Sequence, residues 1–342
     1  MEQDISMKNI DPDLKIRKIE QALDRLIEHQ GSCRLCPRSC GVDRQNAEKG
    51  FCRSTWRISL SHHLLHFGEE PIISGSRPDH PSSTHPSGGR RGSGTLFFSG
   101  CSLKCVFCQN YQLSWENRGS EISALTLAAY MLDLQTRGAW NINLVSPSHY
   151  LVPLLQALLE AYRRGLTIPL VYNSHGYETV DVLRCLEGIV DVYLPDLKYF
   201  SPELSGRLSQ ARDYFAYAAP ALLEMQRQQQ RLILDVHGMA EKGVLVRHLV
   251  LPGQIRDSLS ILDWMSTHLS SSIGLSLMSQ YHPCHQAPED LRRGLTAREY
   301  HEVIRAGEAS PFETIFIQPK PFAPGEHLMP DFSRREPFDW GS

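Results

Sequence analysis

Residues 95–108 read Thr95-Leu96-Phe97-Phe98-Ser99-Gly100-Cys101-Ser102-Leu103-Lys104-Cys105-Val106-Phe107-Cys108. A short apolar run is followed by a glycine and then by three cysteines spaced C-x3-C-x2-C. The run predicts a strand over 95–99, with the cysteines on the loop that leaves it. Further apolar runs at 142–145, 169–172, 190–194, 244–251 and 274–278 read as strands. Helical periodicity lies between them, near 125–135, 150–163, 179–186, 202–226, 255–268 and 296–307. An extra strand at 231–236 is expected to pair with the fifth strand through a turn at 237–243. Strands that alternate with helices imply a parallel sheet, because parallel strands need crossover connections. Six such units fall short of the eight that close a TIM barrel, so the expected fold is α/β, an open partial (β/α)6 TIM-like barrel. Functional groups on such a sheet belong at the carboxyl ends of its strands.

The rest of the chain frames this barrel. Residues 11–30 read as a helix, with Ile16, Ile19, Leu23 and Leu26 on one face, an Asp11 or Asp13 cap, and Gly31 at its end. The expected organisation is an N-terminal helix and cysteine-rich metal-binding region over 1–73, a Ser-, Gly-, Pro- and His-rich linker or insertion over 74–94, the barrel over 95–320 and a tail over 321–342. The chain has 342 residues, 41% of them hydrophobic and 21% charged, enough for a real core. Its net charge of -3 asks for neither nucleic acid nor an anionic membrane. Apolar runs such as 151–159 are too short to span a bilayer, and 1–13 lack the apolar core of a signal peptide. A cytoplasmic location is the expectation.

Nine cysteines in a reducing compartment point to metal or catalysis rather than disulfides. Cys185 and Cys284 stand alone and read as small buried side chains. On the 101–108 loop, three thiolates can wrap three irons of a cubane and leave the fourth iron open. Zinc is the alternative, but structural zinc usually takes four ligands in two pairs, and this loop offers three. The second group, Cys33, Cys36, Cys40 and Cys52, supplies four thiolates with Pro37, Gly41 and Gly50 at its turns. Four ligands describe a closed site, either structural zinc or an auxiliary iron–sulfur cluster. Arg34, Arg38, Arg44 and Arg53 would offset its charge, and no aromatic-interleaved basic face suggests nucleic acid there. His62, His63 and His66 read as ordinary polar positions rather than ligands, and His80 and His85 as solvated loop residues.

The C-x3-C-x2-C loop with an aromatic before its last cysteine resembles the signature of radical S-adenosylmethionine (SAM) enzymes. The wider string, 96–101 through Cys108-Gln109-Asn110-Tyr111, is similar to the pyruvate formate-lyase-activating-enzyme-like branch of that superfamily. Matches continue in Asn143-Leu144-Val145-Ser146-Pro147-Ser148-His149-Tyr150, in 171–178, in Asp191 through Tyr199, in 246–253 and in 277–281. The resemblance implies a 4Fe–4S cluster whose open iron is chelated by SAM. One electron would cleave SAM to methionine and a 5′-deoxyadenosyl radical, which abstracts hydrogen from a substrate. An electron donor such as flavodoxin or ferredoxin is implied, as is a substrate that is a partner protein or a small molecule. The resemblance also favours an iron–sulfur cluster over zinc at the second cysteine group.

On this reading Lys198 neutralises the SAM carboxylate, Asp196 accepts from its amino group, and Asn173 lies near the ribose. Arg247, in the apolar setting 245–250, needs an anionic partner, which would be the SAM carboxylate, a substrate anion or a structural carboxylate. Many radical SAM proteins carry Gly-Gly-Glu after the second strand; here Ser146-Pro147-Ser148-His149 stands there, which makes Ser146 the candidate for the amino group. The 74–94 loop is a second departure. The competing class is an iron–sulfur or zinc electron carrier or assembly protein that cleaves no SAM, and Asp196, Lys198 and Arg247 favour the enzyme.

Overall fold

The computed structural model describes residues 11–75, 90–318 and 329–338. Its strands are β1 (Ile58–His66), β2 (Ser93–Phe98), β3 (Ser120–Ile122), β4 (Ile142–Val145), β5 (Leu170–Ser174), β6 (Val192–Pro195), β7 (Ile233–Leu234), β8 (Ala240–Leu249), β9 (Gly274–Met278) and β10 (Thr314–Ile317). Its helices are α1 (Pro12–Leu26), α2 (Pro71–Ser74), α3 (Tyr111–Ser114), α4 (Ala124–Thr136), α5 (Leu151–Arg163), α6 (Val180–Cys185), α7 (Pro202–Ser209), α8 (Tyr214–Gln229), α9 (Ile255–His268) and α10 (Ala297–Glu308). One ten-stranded sheet runs β10-β9-β8-β6-β5-β4-β2-β1-β3, with β7 on β8. The stretch from β2 to β10 is parallel throughout; β1 adds antiparallel to β2, β3 to β1, and β7 to β8. The sheet does not close, so the fold is the open partial α/β barrel read from the sequence, with β10 as one parallel strand more than expected.

Three differences have physical causes. The segment expected as one helix over 202–226 is two, because Gln210 takes a left-handed φ of 55° and ends α7. The histidine run 62–66 belongs to β1, a strand the apolar pattern did not mark. The 74–94 segment is in part structured: α2 ends at Ser74 and β2 begins at Ser93, while 76–89, with His80 and His85, lie outside the described residues.

The N-terminal region is continuous with the barrel. Asp11 caps α1 by accepting from the amides of Asp13 and Leu14, and Pro12 supplies a preset φ at the first turn. Ile19, Ala22 and Leu26 are buried on one face of α1. Lys15 from that face donates to Asp191 at 2.6 Å and to the Ile189 carbonyl, at the foot of β6.

Alternation along each strand decides what faces inward. Phe97, Val145, Asn173, Asp196, Arg247, Ser276 and Phe316 lie at inward positions. Two residues earlier on their strands, Asn143, Val171, Leu194 and Leu245 share that face. The segment carrying α2 enters this interior: Ile72 and Ile73 pack among Val171, Val192, Leu194 and Leu245. The bottom of the open barrel is thereby filled by apolar side chains, and the carboxyl ends of the strands are left hollow. Among the described residues no helix is long and apolar enough to cross a membrane.

Removing one partner of a buried ion pair leaves the other charge unpaired. Lys15→Ala is therefore expected to lower stability by about 3 kcal/mol. Urea unfolding read by circular dichroism checks this; an unchanged midpoint would show that α1 is not held by this pair.

Candidate active site

A cavity of about 540 Å³ opens at the carboxyl ends of the parallel strands. Cys101, Cys105 and Cys108 line it from the loop after β2, Ser146 from the end of β4, Asn173 from β5, Asp196 and Lys198 from beyond β6, and Arg247 from β8. These eight residues come from five strand ends and line one cavity.

The cysteine loop is tightly held. Gly100 adopts φ +85° and its α-carbon faces the Cys52 carbonyl so closely that a Cβ would lie 2.7 Å from that oxygen, so only glycine fits. The amides of Lys104 and Val106 donate to the carbonyls of Ser209 and Leu208 at 3.3 and 2.9 Å. Each sulfur receives a hydrogen bond. The Leu103 amide donates to Cys101 Sγ at 3.4 Å, the Ser209 hydroxyl to Cys105 Sγ at 3.0 Å and the Ser114 hydroxyl to Cys108 Sγ at 3.2 Å. Burial pushes the Cys101 thiol up to about 12 and the Cys108 thiol to about 11. Buried thiols of this kind hold their protons until a metal replaces them. Three hydrogen-bonded sulfurs on one loop, beside an open cavity, are a donor set that fits a cluster with one free iron. Among the described residues no three His, Cys, Asp or Glu side chains are grouped so that they could hold a single metal ion.

Opposite the loop, Lys198 Nζ lies 2.6 Å from Asp196 Oδ2. Burial works against the ammonium, but Asp196 and the nearby Cys105 outweigh it and raise its pKa. The Tyr214 hydroxyl ties this turn down: it lies 2.9 Å from the His175 carbonyl and 2.8 Å from that of Asp196, and it accepts from the Lys198 amide at 3.0 Å. His175 also lines the cavity. Its Nδ1 accepts from the Tyr177 amide at 3.1 Å, so Nε2 carries the proton and donates to Ser102 Oγ at 2.8 Å. Burial lowers its pKa to about 3, and the ring is neutral. Ser146 holds a left-handed φ of 53°, and its amide donates to the Asn173 carbonyl at 2.8 Å. A non-glycine residue held there is strained, as residues at functional sites often are.

Arg247 finds its anionic partners within the chain. Its guanidinium meets Glu69 and Glu70, with Nε donating to Glu70 at 2.8 and 3.1 Å and Nη2 to both residues. All three side chains are at most 10% exposed. Of the partners expected for Arg247, the SAM carboxylate, a substrate anion or a structural carboxylate, the structure shows the last, supplied by two residues of the chain. Glu69 also accepts from Asn143 at 3.0 Å and faces His66 at 3.5 Å. Two carboxylates against one guanidinium leave this part of the cavity negative. Sequence reasoning missed Glu69 and Glu70, although two acids before a proline and two isoleucines were a signal that the acids follow the chain inside.

The second cysteine group sits behind the first. Cys33, Cys36 and Cys52 are buried and Cys40 is exposed. Arg44, only 2% exposed, donates to Cys52 Sγ at 3.1 Å and to the His149 carbonyl at 2.6 Å, while its Nε has no partner. The positive charge of Arg44 acts on all four cysteines. Of the remaining candidates, Cys284 is buried and donates to the Phe107 carbonyl at 3.2 Å, and Cys185 is half-buried. His62 reaches the Arg334 carbonyl at 2.9 Å, and His63 stacks on Tyr130 at 3.8 Å. His66 lines the cavity. Within the expected tail, Pro330 and Phe338 also line the cavity.

The fold and site define an open α/β barrel with a cysteine loop and a charged cavity at its carboxyl face. The chain is 30% identical over 296 residues to the uncharacterized protein MJ0674 of Methanocaldococcus jannaschii, over 83% of this chain and 77% of that protein, and it belongs to the same family. No protein-family model matches it. Among solved structures it is similar to Streptococcus suis SuiB bound to the precursor peptide SuiA, at 13% identity and a TM-score of 0.44 over 67% of this chain and 47% of that one. SuiB bound to S-adenosylmethionine matches at 15% identity and a TM-score of 0.43, over 67% of this chain and 49% of that one. Methylornithine synthase (PylB) matches at 16% and 0.44, over 63% of this chain and 60% of that one. The chain thus spans about half the length of the SuiB chains and 60% of PylB.

Behind the cavity wall Glu178 is fully buried. It accepts from Ser148 and Ser174, each at 2.5 Å, and its Oε2 has no partner. Burial raises its pKa to about 7 despite those hydrogen bonds. A carboxyl whose folded pKa exceeds its unfolded value keeps its proton longer in the native state. Stability is then full below the unfolded pKa near 4.5 and falls as pH rises to about 7, by about 3 kcal/mol. Glu178→Gln mimics the protonated acid and is expected to remove this decline. Chemical denaturation at pH 5 and pH 8 checks it; an equal decline in the variant would assign the pH dependence elsewhere.

Proposed function

We propose that this chain is a radical SAM enzyme in which Cys101, Cys105 and Cys108 hold a 4Fe–4S cluster. The observation that carries the reading is the shared cavity: three cysteines with no fourth at the loop, together with polar and charged groups from four other strand ends. An electron carrier needs no such cavity. When bound, the cluster supplies an electron to SAM, whose cleavage yields methionine and a 5′-deoxyadenosyl radical for hydrogen abstraction.

The chain's own residues bind, orient and exclude water. Lys198 is placed to take the SAM carboxylate, with Asp196 steadying its ammonium. Asn173 offers hydrogen bonds to the ribose. The negative excess of Glu69 and Glu70 over Arg247 suits the cationic end of SAM, so Glu69, rather than the uncharged Ser146, takes the amino group. Phe97, Leu249, Met278 and Phe316 line the same space with apolar surface and limit water. The finer assignment, an activating enzyme acting on a partner protein with flavodoxin or ferredoxin as donor, rests on the resemblance of 96–111, 171–178 and 191–199. A cytoplasmic location belongs to the same reading, since cysteines grouped for metal binding suit a reducing compartment. Cys33, Cys36, Cys40 and Cys52 hold a second, closed metal–thiolate site. A buried Arg44 with no carboxylate beside it calls for that site's negative charge. The resemblance favours an iron–sulfur cluster over zinc at this site.

Anaerobic reconstitution is expected to give an iron–sulfur signal that changes when SAM is added. The C101A/C105A/C108A variant should lose that response and all 5′-deoxyadenosine after reduction with dithionite. Product formation by that variant would overturn the assignment.

Lys198→Ala and Glu69→Gln should each weaken SAM binding by about 1.5–3 kcal/mol, the range for hydrogen bonds to charged groups, with iron content unchanged. Equilibrium dialysis with labelled SAM checks both. Wild-type affinity in Glu69→Gln would return the amino group to another ligand.

A further inference from the structure

We propose that the segment from Pro330 to Phe338 completes the SAM pocket: it covers the open side of the barrel, and Phe338 positions the Glu69 carboxylate by fixing the ring of His66. The proposal rests on the reading in which Glu69 takes the amino group of SAM, and it adds residues to that site. Three observations carry it.

The first is topology. The sheet does not close; β10 stands at one end of it, and β1 and β2 lie toward the other. The chain that leaves β10 at Ile317 lies on β1 and β2 by Phe332. Phe332 is 5% exposed, and its ring is 5.3 Å from Phe97 on β2 and 5.6 Å from His62 on β1. Pro330 and Phe338 line the same cavity as Phe316 and Ile317 of β10 and Phe97 of β2. Both sides of the gap and the segment between them thus face one space.

The second is anchoring. Gln112 of α3, 9% exposed, holds the segment with both ends of its amide. Its Oε1 accepts from the Phe332 amide at 2.6 Å, and its Nε2 donates to Asp331 Oδ1 at 3.2 Å. His62 Nε2 donates to the Arg334 carbonyl at 2.9 Å. The segment is also closed on itself. The Asp331 amide donates to the Pro337 carbonyl at 2.9 Å, and the amide and hydroxyl of Ser333 donate to Asp331 Oδ1 at 3.0 and 2.6 Å. A strap tied in this way has a fixed shape, and the rings of Phe332 and Phe338 both rest on Phe97.

The third is coupling to the acids. The rings of Phe338 and His66 meet edge to face at 4.6 Å, and Phe97 packs on His66 at 5.9 Å. His66 Nδ1 lies 3.5 Å from Glu69 Oε1, the oxygen that also accepts from Asn143. Arg247 takes Oε2. Oε1 is therefore the oxygen left to meet an ammonium, and its direction depends on Asn143 and His66. Aromatic pairs of this kind prefer one mutual orientation, so Phe338 fixes the His66 ring and, through it, Glu69. Phe338 is a positioning residue.

The experiment uses the full chain with its cluster reconstituted. The probes in equilibrium dialysis are SAM and 5′-methylthioadenosine, which lacks the amino-acid end of SAM. Phe338→Ala should raise the SAM dissociation constant about three- to tenfold, the worth of an aromatic pair. Its constant for 5′-methylthioadenosine should move by less than about twofold. Phe338→Tyr, which keeps the ring edge, should bind both probes as wild type does. In Glu69→Gln, adding Phe338→Ala should cost nothing more, because the residue it acts on is gone. A chain ending at Met329 should release SAM at least about tenfold faster in a dilution chase. Phe338→Leu, which keeps apolar bulk without a ring edge, replaces Phe338→Ala if that variant loses iron. Wild-type SAM affinity in Phe338→Ala, equal losses for the two probes, additive losses in the double variant, or unchanged release from the shortened chain overturns the proposal. Wild-type affinity in Glu69→Gln alone overturns the amino-group assignment on which the proposal rests, and the cysteine assignment stands on its own test.

Discussion

Arg247 is held between Glu69 and Glu70 inside the barrel, and the shape of the cavity depends on that contact. An open barrel has an interior to fill. The chain fills the lower part with Ile72 and Ile73, and the two residues before Pro71 are carried in with them. Two carboxylates cannot be taken out of water unpaired. Arg247, at an inward position of β8, makes the insertion tolerable. Buried ion pairs of this kind are often no more stable than well-packed apolar residues, so stability does not account for the triad. Its consequence is a cavity that carries negative charge at depth.

A second constraint is the junction between α7 and α8. The left-handed turn at Gln210 leaves the carbonyls of Leu208, Ser209 and Gln210 free of further helical bonding. Leu208 and Ser209 accept from the amides of the cysteine loop, and Gln210 accepts from Arg38 of the second cysteine group. The Ser209 hydroxyl reaches Cys105 itself. One helix break thus supports both cysteine groups and tunes one sulfur. The Tyr214 hydroxyl, four residues after Gln210, braces the Asp196–Lys198 turn. Gly176 is part of the same brace: a side chain there would collide with the Asp196 carbonyl.

The parallel strands and the residues at their ends were legible because local periodicity and motif spacing carry them. β4 and β9 have the bounds read from the sequence. Asp196, Lys198, Asn173, Ser146 and the 101–108 cysteines line one cavity because each stands at or just beyond the carboxyl end of a strand of one parallel sheet. What escaped was non-local or short. Glu70 meets Arg247 across 177 positions, and no pattern near either residue announces the other. β3 has three residues, too few for alternation to register, and β10 is half-buried along its whole length, so no buried stripe marks it. β1 is amphipathic only weakly, since most of its positions are half-buried, and its histidines disguised it. The break at Gln210 carries no glycine, so the sequence shows no stop there.

The two cysteine groups differ in a way that burial and hydrogen bonding make physical. The first has three sulfurs, each with a hydrogen-bond donor, and a cavity where a fourth ligand would stand. The second has four cysteines, a buried guanidinium and one exposed edge. Cluster potentials follow net charge, hydrogen bonds to sulfur and solvent exposure. An open position invites chemistry on a ligand, and the rim of Phe97, Leu249, Met278 and Phe316 keeps water away from it. In the proposed function the second group's coordination sphere would be filled and would offer no such position. Structure alone does not require an arginine buried among sulfurs, because four neutral thiols would pack more stably without a charge beside them. The proposed metal–thiolate site would supply the negative charge that a buried Arg44 calls for, since metal binding deprotonates the sulfurs.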